Sequence, residues 1–280
     1  MSILKEGFNQ YIANEDYHAE RDHISSSGLK LLLEDPREFE RIYVKNEPRE
    51  SRNTASLDFG SYVHGLILEP HLVDKEFAVY EGTQRRGAKY EQFCEENEGK
   101  TIITKSQAVQ AQKAVEIFNN SKVWTKDSNG KDKEAYISSF FTKGKAEETL
   151  AGELDGVKVK VRFDYRKEFD SFGSINDIKT TSYDINTKRD IEKISALWGY
   201  ELSAALYCDM VQKYTGKKHD FYFCYINTKR SMVQLVKASE QMLAAGRMKY
   251  KQALKMLKNA RDTGEYFEKG IQEIDYVEKY

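Results

Sequence analysis

The spacing of hydrophobic positions along the chain changes near residue 134. Before that point apolar residues recur at three- and four-residue intervals, the helical period. "HISSSGLKLLLEDPREFERIYVKN" sets serine caps ahead of an apolar-periodic run and puts Pro36 at the start of a second, short helix. "ASLDFGSYVHGLILEP" predicts another helix, with Leu57, Val63, Leu66 and Ile67 roughly on one side and Pro70 beyond its end. "TKSQAVQAQKAVEIFNN" is amphipathic, and glycines bracket the basic loop in "GTQRRGAKYEQF".

From residue 134 the pattern shortens to runs that alternate or are apolar throughout. "EAYISSFFT" and "TLAGELDGVKVKVRFDYR" predict strands, the latter a hairpin turning at Asp155-Gly156, and "SINDIKTT" continues the sheet. "ISALWGYELSAALYCDMVQKYTG" predicts one long helix stopped by Gly216. "HDFYFCYINT" and "SMVQLVKAS" form a further strand pair, and a basic amphipathic helix follows, capped by Ser239 and ended by Gly264. No repeat or linker divides the chain. The expectation is a single α/β domain: a mainly helical part over about 1–125, a sheet and helix over about 126–240, and a C-terminal helix and tail over about 241–280.

Composition narrows the partners. With 44 basic and 45 acidic side chains in 280 residues the net charge is −1, so any nucleic-acid binding rests on local basic patches. Three widely spaced cysteines, Cys94, Cys208 and Cys224, offer neither a zinc motif nor a disulfide framework and point to a reducing cytoplasm. No run approaches the roughly 18 apolar residues of a membrane span, and the amino terminus lacks a signal-peptide pattern.

The candidate chemistry lies in "GSINDIKTTSYD". Residues i and i+2 of a strand share a face, so Asp177 and Lys179 project together, and Asp164 ends the strand before. Adjacent strands would bring the two aspartates to one point, where they repel unless a cation lies between them; a hard divalent ion, which takes oxygen ligands, is the candidate. A lysine beside it can orient a water or offset phosphate charge, as phosphodiester hydrolysis requires. By itself D-x-K also fits a solvated cross-strand ion pair.

Several blocks in order, among them "DYHAERDHISSSGLKLLLEDP", "LDFGSYVHGLILEP", "RRGAKYEQF", "VKVRFDYR", "DIKTT" and "GYELSAALY", resemble the RecE-type exonucleases (exodeoxyribonuclease eight) of phages and prophages. These belong to the RecB-like branch of the PD-(D/E)xK superfamily. The resemblance implies a restriction-endonuclease-like core, a mixed central sheet flanked by helices. It implies that His64, Asp164 and Asp177 bind one or two Mg²⁺ or Mn²⁺ ions, with the Ile178 carbonyl as a further ligand and Lys179 assisting the water. Glu134 best fits the family glutamate, with Glu147 and Glu148 competing. The family's Q-x-x-x-Y motif reads Ser203 to Tyr207 here, a hydroxyl in place of the amide. Ser203, Arg85 and Arg86 are then candidate DNA contacts and Tyr207 a candidate catalytic group. The resemblance further implies double-strand ends as substrate, degradation of the 5′-ended strand, a homo-oligomeric ring, and a RecT-like single-strand annealing protein as partner. An endonuclease, a single-strand-specific nuclease and an inactive DNA-binding homologue are the alternatives.

Overall fold

The computed structural model describes residues 2–9, 12–48, 54–82, 84–126 and 129–267. The expected C-terminal tail past Phe267, and Thr83 of the basic loop, lie outside them. The first part runs β1 (Gly7–Asn9), α1 (Asn14–Ala19), α2 (Ser26–Glu34), α3 (Pro36–Phe39) with a π-helical turn over Glu40–Val44, α4 (Thr54–Leu68), α5 (Val73–Glu76), β2 (Phe77–Tyr80), α6 (Ala88–Glu96), β3 (Thr101–Thr104) and α7 (Lys105–Asn120). The second runs β4 (Lys122–Lys126), β5 (Asp132–Tyr136), a 3-10 turn over Ile137–Phe141, β6 (Lys145–Leu154), β7 (Val157–Glu168), β8 (Gly173–Thr181), α8 (Lys188–Leu197), α9 (Tyr200–Thr215), β9 (His219–Asn227), β10 (Met232–Lys237) and α10 (Glu240–Thr263).

Six strands form the central sheet in the order β1-β6-β7-β8-β9-β10. All neighbours are antiparallel except β8 and β9, which α8 and α9 join as a parallel crossover. The sheet is thus mixed and mostly antiparallel, with helices on both faces, as the α/β expectation required. One face buries Val159, Val161, Phe163, Ile175 and Phe221 against α2, α9 and α10; the other buries Ile178, Cys224 and Ile226 against α4 and α7. Strands covered on both sides read as near-continuous apolar runs, which is why "HDFYFCYIN" shows no alternation.

Three expectations need correction. The predicted long helix is two: Gly199 at φ 56° breaks it between α8 and α9, a left-handed conformation that glycine adopts without a Cβ clash. "EAYISSFFT" is a strand only to Tyr136, because Ile137 and Phe141 turn in to reach the core through the 3-10 segment. The front part is not purely helical: β1 extends the central sheet, and β2 and β3 pair in parallel. Four-residue segments such as "FAVY" and "TIIT" are too short to show a period of two.

Candidate active site

The site grows from strand register. The β6–β7 hairpin turns at Asp155 and Gly156, both at positive φ, so Leu154 faces Val157 and one register runs out to Lys145↔Arg166, with the ladder interrupted at Glu147 and Asp164. Ala146 pairs with Tyr165 and Glu148 with Phe163, which leaves Glu147 directly opposite Asp164. Glu147 has φ 47°, a left-handed backbone at a non-glycine residue, and such conformations concentrate where function requires them. On the other side of β7, the ladder with β8 runs from Glu168↔Gly173 to Tyr165↔Asn176, and the next residues along are Asp164 and Asp177. Three carboxylates therefore fall on one register line across three strands, where β7 and β8 begin to part.

The local hydrogen bonding fits that parting. Asp164 Oδ2 accepts from the Ile178 backbone N–H at 2.7 Å, so a side chain takes the place of a ladder carbonyl. Helix α4 supplies His64. It comes close to β8 because Gly60 has no side chain; a Cβ there would stand 3.2 Å from Thr180 Oγ1. One turn later His64 Nδ1 is 3.5 Å from Asp164 Oδ2. Donor atoms of His64, Glu147 and Asp164 all lie within 4.8 Å of one another. Asp177 is buried at 5% exposure, and its Oδ2 lies 2.5 Å from Lys179 Nζ in an ion pair without hydrogen-bond alignment. Lys179 Nζ also stands 5.3 Å from the centroid of the Tyr200 ring and 3.4 Å from the Ile178 carbonyl oxygen.

Electrostatics mark the cluster as short of positive charge. Burial, then the Asp164 carboxylate, pushes the Glu147 carboxyl up to about 8. Burial also raises Asp164, against the pull of Lys179, and raises Asp177 to about 6. His64 is lowered to about 4, by burial first and Lys179 second, so its imidazole is neutral and able to ligate near pH 7. Burial opposes the charge on Lys179, but Asp177 and Asp164 outweigh it and hold the ammonium well above its ordinary range. Carboxylates directly opposite one another on paired strands destabilise a sheet. A divalent cation would remove that repulsion, and two carboxylates with one neutral imidazole suit a hard ion.

The structure thus gathers His64, Asp164, Asp177, Ile178 and Lys179 at one place. Glu134 is not there: it lies on the β4–β5 hairpin and pairs with Lys122 at 2.7 Å. Of the three candidate glutamates, Glu147 lies in the cluster with His64 and Asp164, while Glu148 bonds Arg166 at 2.6 Å. Arg85 is half-buried and bonded within the fold: its guanidinium donates to the Ile102 carbonyl and to Gln107 Oε1, both at 2.7 Å. Arg86 is exposed and, among the described residues, donates to Gln84 Oε1 at 2.9 Å. Tyr207 packs edge-on against Phe163 at 5.7 Å, with its hydroxyl at Ser26, and burial pushes its pKa up to about 12. The ring is half-buried against the core, and the Asp177 and Asp164 carboxylates act on its hydroxyl. Ser203 is half-buried one turn earlier on α9. Tyr200, which forms the wall beside Lys179, was not singled out in the sequence, because its aromatic ring reads as core within an apolar helix.

The comparisons agree with this architecture. A model of the PDDEXK-like domain of unknown function (DUF3799) matches residues 25–279. No curated protein matches the sequence. Among solved structures, a crystal structure from Eubacterium rectale, described as a "putative exonuclease", superposes with a TM-score of 0.61 at 17% identity, covering 91% of this chain and 88% of that one. At that identity the likeness speaks for the fold alone. The family match spans most of the chain, and its acidic register line ends in D-I-K: the chain belongs to the PDDEXK-like domain family DUF3799, within the PD-(D/E)xK nuclease superfamily.

Proposed function

We propose that the protein is a metal-dependent deoxyribonuclease of the RecE exonuclease type, hydrolysing phosphodiester bonds from double-strand ends and degrading the 5′-ended strand. The observation that carries hydrolysis is the line Glu147, Asp164, Asp177 with Lys179 at its end. His64, Glu147 and Asp164 would hold a Mg²⁺ or Mn²⁺ ion, with Asp177 and the Ile178 carbonyl at its margin. Such an ion supplies Lewis acidity and a water of lowered pKa.

The remaining work falls to the chain. Asp164 holds the Ile178 amide and so fixes the strand end that carries the D-I-K side chains. Asp177 keeps Lys179 charged, and the Tyr200 face limits where the ammonium can swing. A lysine so held presents a fixed positive charge to a phosphate oxygen, useful where charge develops during attack at phosphorus. Its apolar neighbours lower the local dielectric and strengthen that interaction.

End dependence, the ring assembly, a RecT-like annealing partner and a place in phage-type recombination in a bacterial cytoplasm rest on the sequence resemblance. No described helix is long and apolar enough to cross a membrane. The test is digestion of end-labelled linear duplex and of a covalently closed circle, each with Mg²⁺ and with chelator. Linear DNA should shorten only with metal while the circle persists. Rapid linearisation of the circle would replace the exonuclease with an endonuclease, and no hydrolysis of either would remove the nuclease.

A further inference from the structure

Helix α2 brings a second lysine to the wall of the site. The segment before it bridges into the sheet beside β7, Ile24 pairing with Val159, so the helix starts where β7 and β8 part. Lys30, in the middle of α2, then reaches across the α8–α9 junction. Its methylenes lie over Gly199, where an added Cβ would stand 3.6 Å from Lys30 Cδ and Cε, and Nζ donates to the Trp198 carbonyl at 3.0 Å. Nζ also stands 5.4 Å from the centroid of the Tyr200 ring, the same ring that Lys179 approaches to 5.3 Å. Two ammonium groups thus share one aromatic ring at the edge of the carboxylate line.

The two are not equivalent. Lys179 has Asp177 at 2.5 Å, whereas Lys30 has no carboxylate within 4 Å among the described residues. Burial, and after it the charge of Lys179, draws the Lys30 pKa down to about 8. A half-buried cation beside another cation is costly unless an anion completes the arrangement. One carbonyl satisfies one of its three N–H donors, and an ammonium on a flexible stem is suited to a phosphate oxygen. A purely structural lysine at the C-terminal end of α8 would cap the carbonyl equally well without Lys179 nearby.

We propose that Lys30 is a substrate-binding residue that holds a DNA phosphate next to the scissile one, so that Lys30 and Lys179 grip neighbouring phosphates on either side of Tyr200. This deepens the nuclease reading and rests on it for the word scissile. The binding itself can be measured without hydrolysis.

The experiment compares wild-type protein with Lys30→Gln and Lys30→Arg. Binding of a fluorescent linear duplex, measured in Ca²⁺ across a salt series, should weaken about tenfold in Lys30→Gln, and its log–log salt slope should fall by about one, as for one lost phosphate contact. Lys30→Arg should retain both. In Mg²⁺, Lys30→Gln should raise KM about tenfold while kcat changes by less than about threefold, with calorimetric Mn²⁺ binding unchanged. Neutral methylphosphonate placed singly along the strand should weaken wild-type binding at one position where Lys30→Gln shows no further loss. If salt slope and methylphosphonate profile are the same in both proteins, Lys30 only caps α8 and the proposal fails. If the wild type binds DNA with the Lys30-dependent slope yet cuts nothing, the nuclease reading fails and the phosphate contact stands.

Discussion

Two Asp/Glu–Lys pairs on strands of this protein look alike in the sequence and differ in everything that matters for chemistry. On the β4–β5 hairpin, Lys122 meets Glu134 at 2.7 Å, with side chains 42% and 48% exposed. On β8, Lys179 meets Asp177 at 2.5 Å, with side chains 24% and 8% exposed. The first pair is solvated, and each partner answers the other. The second lies among Glu147, Asp164 and His64, where one lysine faces more acid than it can neutralise. Burial, and not the presence of an acid beside a base, separates an ornamental ion pair from a candidate active site.

The sharpest break of the comparison comes from taking the charges of the buried pair one at a time. Asp177→Ala should lose both tight Mn²⁺ binding and hydrolysis, because an anionic oxygen disappears from the cluster. Lys179→Ala should lower the hydrolysis rate by about 10²–10³-fold while Mn²⁺ binding holds or tightens, since a like charge has been removed. Calorimetric titration and rates on the same folded variants decide it. Retained activity in Lys179→Ala would make the β8 pair as structural as the hairpin pair.

A second test uses the carboxylate that the register identifies. Glu147 is held near 8 in the fold against an ordinary value of 4.5, so between those limits the unfolded chain is ionised while the folded chain keeps its proton. Stability of the metal-free protein must then fall as pH rises through this window. His64, lowered to about 4, acts in the opposite sense, but only below its unfolded value of 6.5. From pH 6.5 to about 7.5 the decline therefore reports mainly Glu147, on the order of 1 kcal/mol, and toward pH 8 it is partly offset because Lys30 and Lys160, both lowered to about 8, begin to lose protons in the fold that the unfolded chain keeps. Thermal melts in chelator should show it, Mg²⁺ or Mn²⁺ should stabilise more at pH 8 than at 6.5, and Glu147→Gln should flatten both trends. A metal-free melting temperature independent of pH would refute the buried acid.

Glu147 also shows how much of the site could be read in advance. The Asp155-Gly156 turn was legible, and a two-residue turn fixes everything outboard of it: seven residues back from Leu154 is Glu147, and seven on from Val157 is Asp164. Counting along the hairpin places Glu147 opposite Asp164, whereas the family resemblance alone favours Glu134. The D-I-K strand and the caps of α2 and α10 were visible because each has a local cause, a period or a capping residue, whereas the mixed sheet came from the family resemblance. The break at Gly199, the internal bonding of Arg85 and the lysine wall around Tyr200 were not visible. Each depends on residues distant in sequence meeting across the sheet.

Arg85 and Arg86 extend the comparison to the basic loop. Arg85→Ala takes the side-chain donor from the Ile102 carbonyl and one of three from Gln107 Oε1, which keeps the Thr104 amide and hydroxyl, and it removes the cation 3.7 Å from Asp58, a loss of about 1–3 kcal/mol for half-buried polar partners. It should lower the melting temperature by several degrees. Arg86→Ala should leave the melt unchanged and, if the exposed guanidinium meets a phosphate, reduce the salt slope of DNA binding by about one. Equal melts for the two variants would contradict the internal role of Arg85.

The smallest effect expected is at the hairpin pair itself, and its smallness is the point. Lys122 and Glu134 sit on the outward face of a two-stranded ribbon, beside the exposed rings of Trp124 and Tyr136. Water and salt screen their attraction, and holding two long side chains in one geometry costs entropy that offsets most of it. Glu134→Gln should shift the melting temperature by no more than about two degrees, leave Mn²⁺ binding and hydrolysis intact, and make no difference to the pH trend that Glu147→Gln abolishes. A rate loss in Glu134→Gln comparable to that in Glu147→Gln would mean that the hairpin folds over the carboxylate line when DNA is bound. The contrast between the exposed and the buried pair would then describe the free protein only.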